Sequence, residues 1–299
     1  MNNQLDQVFR PIGIGTAPIG WDINPITEAQ AIETVHAALA HDVRFFDTAP
    51  FYGMPGERTS ETRLGLALAS SGASRDSYTL ATKVGLEIDV SGNIIRNMTP
   101  DGVKRSLETS MSLLYTDHIE IVHLHEPEAQ GLGEMAAVYQ VLDEYKRQGI
   151  IQAIGAGMND WSIIPKLWTI GEFQCFLVAG RYTLLEQGAA GIYDECHARG
   201  TRIVAAGIFN SGILATGASD TARYNYHYAP DDVIAKVQRI DSICQTHNVP
   251  MLDAALQFPH RHPAVATTIF GAASPEEIAT NVRALATSID DDFWSAVTA

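Results

Sequence analysis

The sequence predicts an α/β protein folded as a single (β/α)8 TIM barrel, and two observations support this. Short apolar segments alternate along the 299-residue chain with longer segments whose apolar residues recur at i, i+3 and i+4. Units that alternate strictly need a parallel sheet, because only a crossover helix returns the chain to the same edge. Eight such strands favour a closed barrel over the alternative, an open doubly wound sheet. No proline- or serine-rich linker interrupts the pattern, so residues 1–299 are expected to form one domain.

The predicted strands are apolar runs bounded by turn residues. They cover residues 12–16, 44–48, 78–83, 119–125, 151–157, 173–180, 202–206 and 266–270. Amphipathic helices are predicted between them at residues 27–40, 60–70, 99–114, 135–148, 161–170, 189–199 and 231–247. Thr27 and Thr99 stand where N-caps are expected, because each hydroxyl can accept a hydrogen bond from the first turn of its helix.

Two segments depart from the repeat. Ser91-Gly92-Asn93 is a turn signal within residues 88–97, which predicts a small hairpin after the third strand. Residues 210–230 are longer than an ordinary connection, so we expect either a functional lid or a surface loop.

Charge and hydropathy restrict the partners. Thirty-five acidic residues against 20 Lys and Arg give a formal net charge of −15, which repels nucleic acids and anionic membrane surfaces. Residues 1–7 lack a basic segment and an apolar core, and no apolar run is long enough to span a bilayer. We therefore expect a cytoplasmic protein, a monomer or small homo-oligomer, that acts on a small molecule.

The three cysteines, Cys175, Cys196 and Cys244, are far apart and have no metal-binding spacing. An odd number argues against a disulfide framework, and free cysteine is among the most buried residue types. We expect reduced packing residues and no metal site.

Polar residues stand at the carboxyl ends of three predicted strands, where a barrel places its active site. Asp47 ends the second strand and is soon followed by Tyr52, while Lys83 ends the third strand and His125 the fourth. If this segment stood alone, Asp47 could simply cap the next helix and Tyr52 could be an ordinary amphipathic residue at the surface. Together the residues form a proton-transfer set in which the Lys83 ammonium would lower the pKa of Tyr52. Asp47 would hold Lys83, and His125 would orient a substrate oxygen.

Four short motifs occur in the order that they have in the aldo-keto reductases, which the chain resembles along almost its whole length. They are Gly-Ile-Gly-Thr at residues 13–16, Phe-Asp-Thr-Ala at 46–49 with Tyr52-Gly53, Thr82-Lys83, and Leu-His-Glu-Pro at 124–127. The resemblance continues to residues 269–277 and Asn281. It implies a barrel that binds a nicotinamide cofactor, with Tyr52 as the general acid/base.

Residues 178–187 and 205–212 resemble the aldose 1-dehydrogenase branch of this family. That branch is similar to L-fucose, D-threo-aldose and L-galactose dehydrogenases and lies near pyridoxal 4-dehydrogenase. Where the wider family places a glutamine and a tyrosine against the nicotinamide, this chain has Ala179 and Ala206. Asn159 would bind the carboxamide.

The resemblance also implies the ligand contacts. Cofactor-binding residues would be Thr16, Asp47, Asn159, Gly207, Phe209, Ser211, Gly212, Gly271, Ala272, Ser274, Glu277 and Asn281, and substrate contacts would be Trp21, Tyr52, His123, His125 and Glu126. NAD is expected over NADP, because Gly271 and Glu277 stand where NADP-using members carry the cations that hold the 2′-phosphate.

The implied reaction moves hydride from C1 of a cyclic sugar to C4 of the nicotinamide and leaves a lactone, while Tyr52 takes the hydroxyl proton. Within the same family the alternatives are a pyridoxal 4-dehydrogenase and a general aldehyde or ketone reductase. Lys83 alone would also suit a class I aldolase, which forms a Schiff base. A second alternative is a cofactor-sensing regulatory protein, since the same fold occurs as an auxiliary subunit of membrane channels.

Overall fold

The computed structural model describes Leu5, residues 7–20 and residues 25–298. In chain order its strands are β1 (Ile12–Gly15), β2 (Phe45–Asp47), β3 (Thr79–Val84), β4 (Leu86–Ile88), β5 (Ile94–Arg96), β6 (Ile119–His125), β7 (Ile151–Met158), β8 (Cys175–Ala179), β9 (Arg202–Ala206), β10 (Arg223–Tyr224), β11 (His227–Tyr228) and β12 (Val265–Gly271). Eight of these described strands close into a parallel barrel in the order β1-β12-β9-β8-β7-β6-β3-β2. The predicted barrel is therefore confirmed, and the open sheet is wrong.

Helices cover the outside of the barrel. Within the described ranges they are α1 (Ala17–Gly20), α2 (Glu28–Ala40), α3 (Thr59–Ser70), α4 (Pro100–Leu113), α5 (Leu132–Arg147), α6 (Ile164–Leu167), α7 (Ala190–Arg199), α8 (Ile213–Thr216), α9 (Asp231–His247), α10 (Met251–Gln257), α11 (Pro275–Ala286) and α12 (Asp291–Thr298). Both predicted N-caps are confirmed: Oγ1 of Thr27 accepts from the N–H of Gln30, and Oγ1 of Thr99 accepts from that of Gly102, each at 3.1 Å.

One predicted helix is shorter than expected. Residues 161–170 were expected to form a helix throughout, but only Ile164–Leu167 is α-helical and a 3₁₀ turn precedes it at Trp161–Ile163. Pro165 lies in the first turn of α6, and proline has no N–H to continue an α-helical ladder toward the amino terminus.

Alternate residues of each strand fill the interior of the barrel, since side chains on a strand point to opposite faces with period two. Glycines make room for large neighbours there. A Cβ on Gly13 would lie 2.6 Å from Cδ1 of Phe45, and one on Gly155 would collide with Nδ1 of His123. The strand register explains the second case, because His123 pairs directly with Gly155 on one side and with Lys83 on the other.

Two hairpins extend beyond the barrel. Strands β4 and β5 pair antiparallel, which confirms the hairpin predicted within residues 88–97. Residues 210–230 contain α8 and the antiparallel pair β10 and β11, so this segment is a structured excursion.

The cysteines are buried and free, as expected. Burial raises the pKa of the Cys196 thiol to about 12. Across the described ranges, no helix has both the length and the apolar character needed to cross a bilayer. The same residues include no cluster of three or more His, Cys, Asp and Glu that could hold a metal ion.

Candidate active site

Lys83 and Asp47 form a buried ion pair at the ends of β3 and β2. Lys83 Nζ donates to Oδ2 of Asp47 at 2.6 Å and to the carbonyl oxygen of Thr48 at 2.9 Å. Burial opposes the charge of Lys83, but Asp47 and Tyr52 together raise the pKa of Lys83 above its ordinary value. Burial raises the pKa of the Asp47 carboxyl, and the Lys83 ammonium acts in the opposite direction. Lys83 is therefore a cation at neutral pH and not the free amine that a Schiff-base aldolase needs.

Tyr52 lies against this pair. Lys83 Nζ donates a hydrogen bond to the Tyr52 hydroxyl and is 4.8 Å from the centre of its ring. Burial raises the pKa of Tyr52 above its ordinary value of 10.0, whereas the Lys83 ammonium lowers it. Lys83 thus acts in the predicted direction, but desolvation outweighs its charge, so the pKa of Tyr52 is raised overall. Tyr52 carries its proton at neutral pH.

His125 completes the cluster at the end of β6. Its ring meets those of Phe51 and Tyr52 edge to face, with centres 5.8 Å and 5.9 Å away. Burial and the Lys83 ammonium hold the pKa of His125 well below its usual range. The imidazole is therefore neutral, so one ring nitrogen is a donor and the other an acceptor. The structure thus brings together all four predicted catalytic side chains.

Ser60 fixes the loop that carries Tyr52. The N–H of Ser60 donates to the carbonyl oxygen of Tyr52 at 2.9 Å. The hydroxyl of Ser60 donates to the carbonyl oxygen of Thr16, also at 2.9 Å. The hydroxyl of Thr48 lies 3.0 Å from the same Ser60 oxygen. Sequence reasoning missed Ser60, since nothing in its neighbours indicates that α3 returns to the ends of β1 and β2.

Thr16 was expected to contact the cofactor, but its side chain has no exposed surface. Oγ1 of Thr16 donates to the carbonyl oxygen of Asp47 at 3.0 Å and lies 2.7 Å from Oγ of Ser60. This side chain therefore supports the Asp47 loop from within the protein.

His123 was expected to contact substrate, but it lies in the barrel interior with 0% exposure. It points the same way as His125 and sits deeper, because two residues along a strand move a side chain down the same face. The Lys83 ammonium adds to burial in holding its pKa well below the usual range. His123 is thus a neutral residue beneath the catalytic cluster.

Glu126 lies at the mouth immediately after His125. Its backbone is left-handed (φ 46°), which turns the carboxylate toward the hairpin of β4 and β5. Oε2 of Glu126 accepts a hydrogen bond from Nη2 of Arg96 at 3.0 Å. Glu126 is thus at the rim, as expected of a substrate contact. Trp21, the other predicted contact in this region, lies outside the described residues.

Short side chains lie at the carboxyl ends of three neighbouring strands. Ala179 and Ala206 end β8 and β9, and in β7 a Cβ on Gly157 would approach Cε of Lys83 to 3.5 Å. Asn159 follows β7, and its carbonyl oxygen accepts from Nε of Arg181 at 3.2 Å. Contact of Asn159 with a nicotinamide stays a prediction.

The loop after β9 is held by its own hydrogen bonds. Gly207 and the consecutive residues Asn210, Ser211 and Gly212 have φ of 59°, 46°, 61° and 95°. The N–H groups of Asn210 and Gly212 donate to the carbonyl oxygens of Gly207 and Phe209 at 2.9 Å and 3.0 Å. The buried side chain of Asn210 fixes the loop further, since its Nδ2 donates to the carbonyl oxygen of Gly180 at 3.2 Å. Phe209 packs beneath, between two apolar clusters. Contact of this loop with a cofactor stays a prediction.

Glu277 belongs to the cap of α11. Its N–H donates to Oγ of Ser274 at 3.2 Å, and its Oε2 accepts from the N–H of Ala273 at 2.7 Å. This reciprocal pair fixes a carboxylate at the start of the helix. Gly271 and Ala272 lead into this cap, and Asn281 is buried one turn further on.

The cluster can move a proton between a substrate oxygen and Tyr52. Two residues of this region escaped sequence reasoning besides Ser60. Arg181 lies within the motif at residues 178–187 and Tyr226 within the long loop at residues 210–230, and the contacts of both form only when the chain has folded.

The matching family model describes the aldo/keto reductase family and covers residues 11–299. A D-threo-aldose 1-dehydrogenase from a Pseudomonas species is 31% identical, over 95% of this chain and 92% of its own. A pyridoxal 4-dehydrogenase from Microbacterium luteolum is 30% identical, over 96% and 92%. Among solved structures, the holo form of an aldo-keto reductase from Bacillus halodurans has a TM-score of 0.81 at 20% identity and covers 97% of this chain and 91% of its own.

Proposed function

The chain belongs to the aldo/keto reductase family of nicotinamide-dependent oxidoreductases, and we propose that it oxidises an aldose at C1 to the lactone with NAD as its cofactor. The observation that carries the proposal is the cluster of Tyr52, Lys83 and His125 at the barrel mouth. A relative that is 31% identical along nearly the whole chain is named for this activity.

Tyr52 is the proton-transferring group. In oxidation its phenolate accepts the proton of the C1 hydroxyl, and in the reverse direction its phenol returns it. Lys83 stabilises the phenolate with a fixed positive charge, which Asp47 keeps in place. When bound, the nicotinamide cofactor supplies the redox step by accepting hydride.

His125 orients the substrate. A neutral imidazole donates a hydrogen bond to the substrate oxygen without adding a second positive charge beside Lys83. The rings of Phe51 and Tyr52 hold its plane. Glu126 and Arg96 offer charged groups to the further hydroxyls of a sugar.

The preference for NAD rests on α11. In NADP-binding sites cations hold the 2′-phosphate, and the family resemblance aligns Glu277, whose carboxylate is fixed by its helix cap, with one of those cations. Arg283, the nearest cation on that helix, donates to Oγ1 of Thr280 at 3.2 Å. The ribose 2′-hydroxyl of NAD can donate to Glu277.

Oxidation of pyridoxal is the second candidate, favoured by a relative that is 30% identical and named pyridoxal 4-dehydrogenase. Pyridoxal closes to a cyclic hemiacetal, so the same proton transfer by Tyr52 would yield a lactone. The two substrates need different contacts at the barrel mouth, since pyridoxal is flat and aromatic while a sugar is hydroxylated around its ring.

Initial rates at 340 nm test the proposal directly. The panel contains L-fucose, L-galactose, a D-threo-aldose and pyridoxal, each with NAD⁺ and with NADP⁺. We expect an aldose to be oxidised with NAD⁺ at the highest kcat/KM. Oxidation of pyridoxal alone would support the second candidate, and carbonyl reduction without any oxidation would indicate a general reductase.

A further inference from the structure

Helix α3 begins directly after the loop that carries Tyr52. Within this loop the N–H of Tyr52 donates to the carbonyl oxygen of Ala49 at 3.1 Å. The N–H of Met54 donates to Oγ1 of Thr59, also at 3.1 Å. The N–H of Ser60 donates to the carbonyl oxygen of Tyr52 at 2.9 Å. The backbone at Tyr52 is therefore fixed to the first turn of α3.

The next residue of α3, Glu61, holds the strand that carries Lys83. The side chain of Glu61 has no exposed surface, and its Oε1 accepts a hydrogen bond from the hydroxyl of Thr82 at 2.7 Å. Thr82 directly precedes Lys83 in β3. Side chains alternate along a strand, so Thr82 points outward to α3 while Lys83 points into the barrel. Two consecutive residues of one helix thus bind the loop of Tyr52 and the strand of Lys83.

Arg58 is the counter-ion of the buried Glu61 carboxylate. Nη1 of Arg58 lies 3.4 Å from Oε2 of Glu61 and donates to Oγ of Ser110 at 3.1 Å. The same nitrogen donates to the carbonyl oxygen of Ser106 at 2.8 Å. Nη2 of Arg58 donates to Oε1 of Glu87 at 2.6 Å. The guanidinium thereby connects α3 with α4 and with the hairpin of β4 and β5, and this network keeps the carboxylate of Glu61 in one position.

We propose that Glu61 and Thr82 are positioning residues, which set the distance between the Tyr52 phenol and the Lys83 ammonium from outside the barrel. The inference rests on the proposed function, in which Lys83 stabilises the phenolate of Tyr52. Nζ of Lys83 is 4.8 Å from the centre of the Tyr52 ring. The attraction between charges depends on their separation, and proton transfer depends on alignment. A shift of β3 against α3 would therefore slow the reaction without removing any group that contacts substrate.

The experiment changes the hydroxyl that joins β3 to α3. Thr82→Val removes the donor to Glu61 and keeps the shape of the side chain. We expect kcat to fall about tenfold, since a displacement of about 1 Å at a reacting group can cost on the order of 10²-fold in rate. The KM of the substrate and the dissociation constant of NAD⁺ should change little, because no contact with either ligand is removed.

Two further variants of Thr82 support the comparison. Thr82→Ser keeps the hydroxyl and should retain most of the wild-type kcat. Thr82→Ala removes the hydroxyl without placing a methyl group against the carboxylate of Glu61, so it replaces the valine variant if that variant does not fold.

Thr79→Val is the matched control in the same strand. Oγ1 of Thr79 donates to the carbonyl oxygen of Val8 at 2.8 Å, and Thr79 is 2% exposed. This variant also loses one buried hydrogen bond, but at the start of β3 and far from Lys83. Each valine variant should therefore lower the melting temperature by a few degrees, whereas only Thr82→Val should lower kcat.

Failure of this inference and failure of the proposed function give different results. The wild-type panel decides the substrate class, and kcat of the threonine variants is then measured with whichever substrate is oxidised or reduced. An active Tyr52→Phe variant would refute the proposed role of Tyr52. Equal kcat values in Thr82→Val and Thr79→Val, with Tyr52→Phe inactive, would overturn the positioning role alone. A loss in Thr82→Ser as large as in Thr82→Val would also overturn it, because the hydroxyl would then not be the cause.

Discussion

Nζ of Lys83 lies 2.6 Å from Oδ2 of Asp47, and the two side chains are only 1% and 2% exposed. Each charge is buried with the other as its counter-ion. Removing one side chain would therefore leave an unpaired charge in the protein interior, which solvates it poorly. Lys83, held by Asp47, therefore acts as a fixed positive charge beside Tyr52, and the phenol of Tyr52 is the group that transfers the proton.

Tyr52→Phe should lower kcat by about 10²- to 10⁴-fold, because the substitution removes the one oxygen that transfers the proton and keeps the ring. The dissociation constant of NAD⁺ should change little. Steady-state rates and cofactor titration measure both quantities. A Phe variant that keeps most of the wild-type rate would show that another group carries the proton.

The oxidation rate should rise with pH through the whole neutral to alkaline range. Burial raises the pKa of Tyr52 above 10.0, so at neutral pH the required phenolate is a small fraction that grows about tenfold per pH unit. The reduction rate should stay flat over the same range, since the required phenol is already the main form. A plateau in oxidation near pH 7 would contradict this assignment.

Lys83→Met should lower the oxidation rate at every pH below the pKa of Tyr52. Lys83 lowers the pKa of Tyr52, so its removal raises that pKa further and reduces the phenolate fraction. The single variant leaves Asp47 buried and unpaired, at a cost of about 3 to 5 kcal/mol in the free energy of unfolding. The double variant Asp47→Asn/Lys83→Met removes both charges and gives a folded control. An unchanged pH profile in the double variant would exclude this role for Lys83.

Gly155→Ala should destabilise the protein by about 1 to 3 kcal/mol, because the new Cβ would collide with His123 in the barrel interior. The combination with His123→Ala should lose less stability than the sum of the single variants, since it removes the ring that the new Cβ would meet first and leaves only Sγ of Cys175 at 2.9 Å. Gly157→Ala is the control, as its Cβ would meet nothing closer than 3.5 Å. Urea midpoints test this, and additive losses would contradict it.

Glu277→Arg should shift the cofactor preference toward NADP by on the order of 10²-fold in the ratio of dissociation constants, as a repulsive charge is replaced by an attractive one. It should also cost about 1 kcal/mol of stability, because Glu277 caps α11. Glu276→Arg changes the same charge in the same turn, outside this pair of capping bonds, and should have a smaller effect on the preference. Equal or tighter binding of NADP by the wild type would refute the proposed preference.

The strands were predictable from sequence because apolar runs bounded by turns give a strong signal, and the inward direction of Asp47, Lys83 and His125 then follows from strand ends in a barrel. The helices α10 to α12 were not predicted, although Ser274 and Pro275 stand at positions typical of a helix start.

The supporting contacts of the site could not be derived from pattern. The family resemblance implied a cofactor contact for Thr16, and only the return of Ser60 shows that its hydroxyl is used internally. The size of the desolvation effect on the pKa of Tyr52 could not be predicted for a related reason. Sequence gives the charge of Lys83, whereas desolvation depends on everything that packs around the ring.

Hydride transfer from a labelled sugar is the decisive test of aldose oxidation by this enzyme. The preferred aldose carrying deuterium at C1 is incubated with NAD⁺ and the wild-type enzyme, and both products are followed by NMR. We expect deuterium at C4 of the reduced nicotinamide, the aldonolactone or its hydrolysed acid as the other product, and no transfer by Tyr52→Phe on the same timescale. Reduced cofactor without deuterium, or label transfer that persists in Tyr52→Phe, would contradict this mechanism.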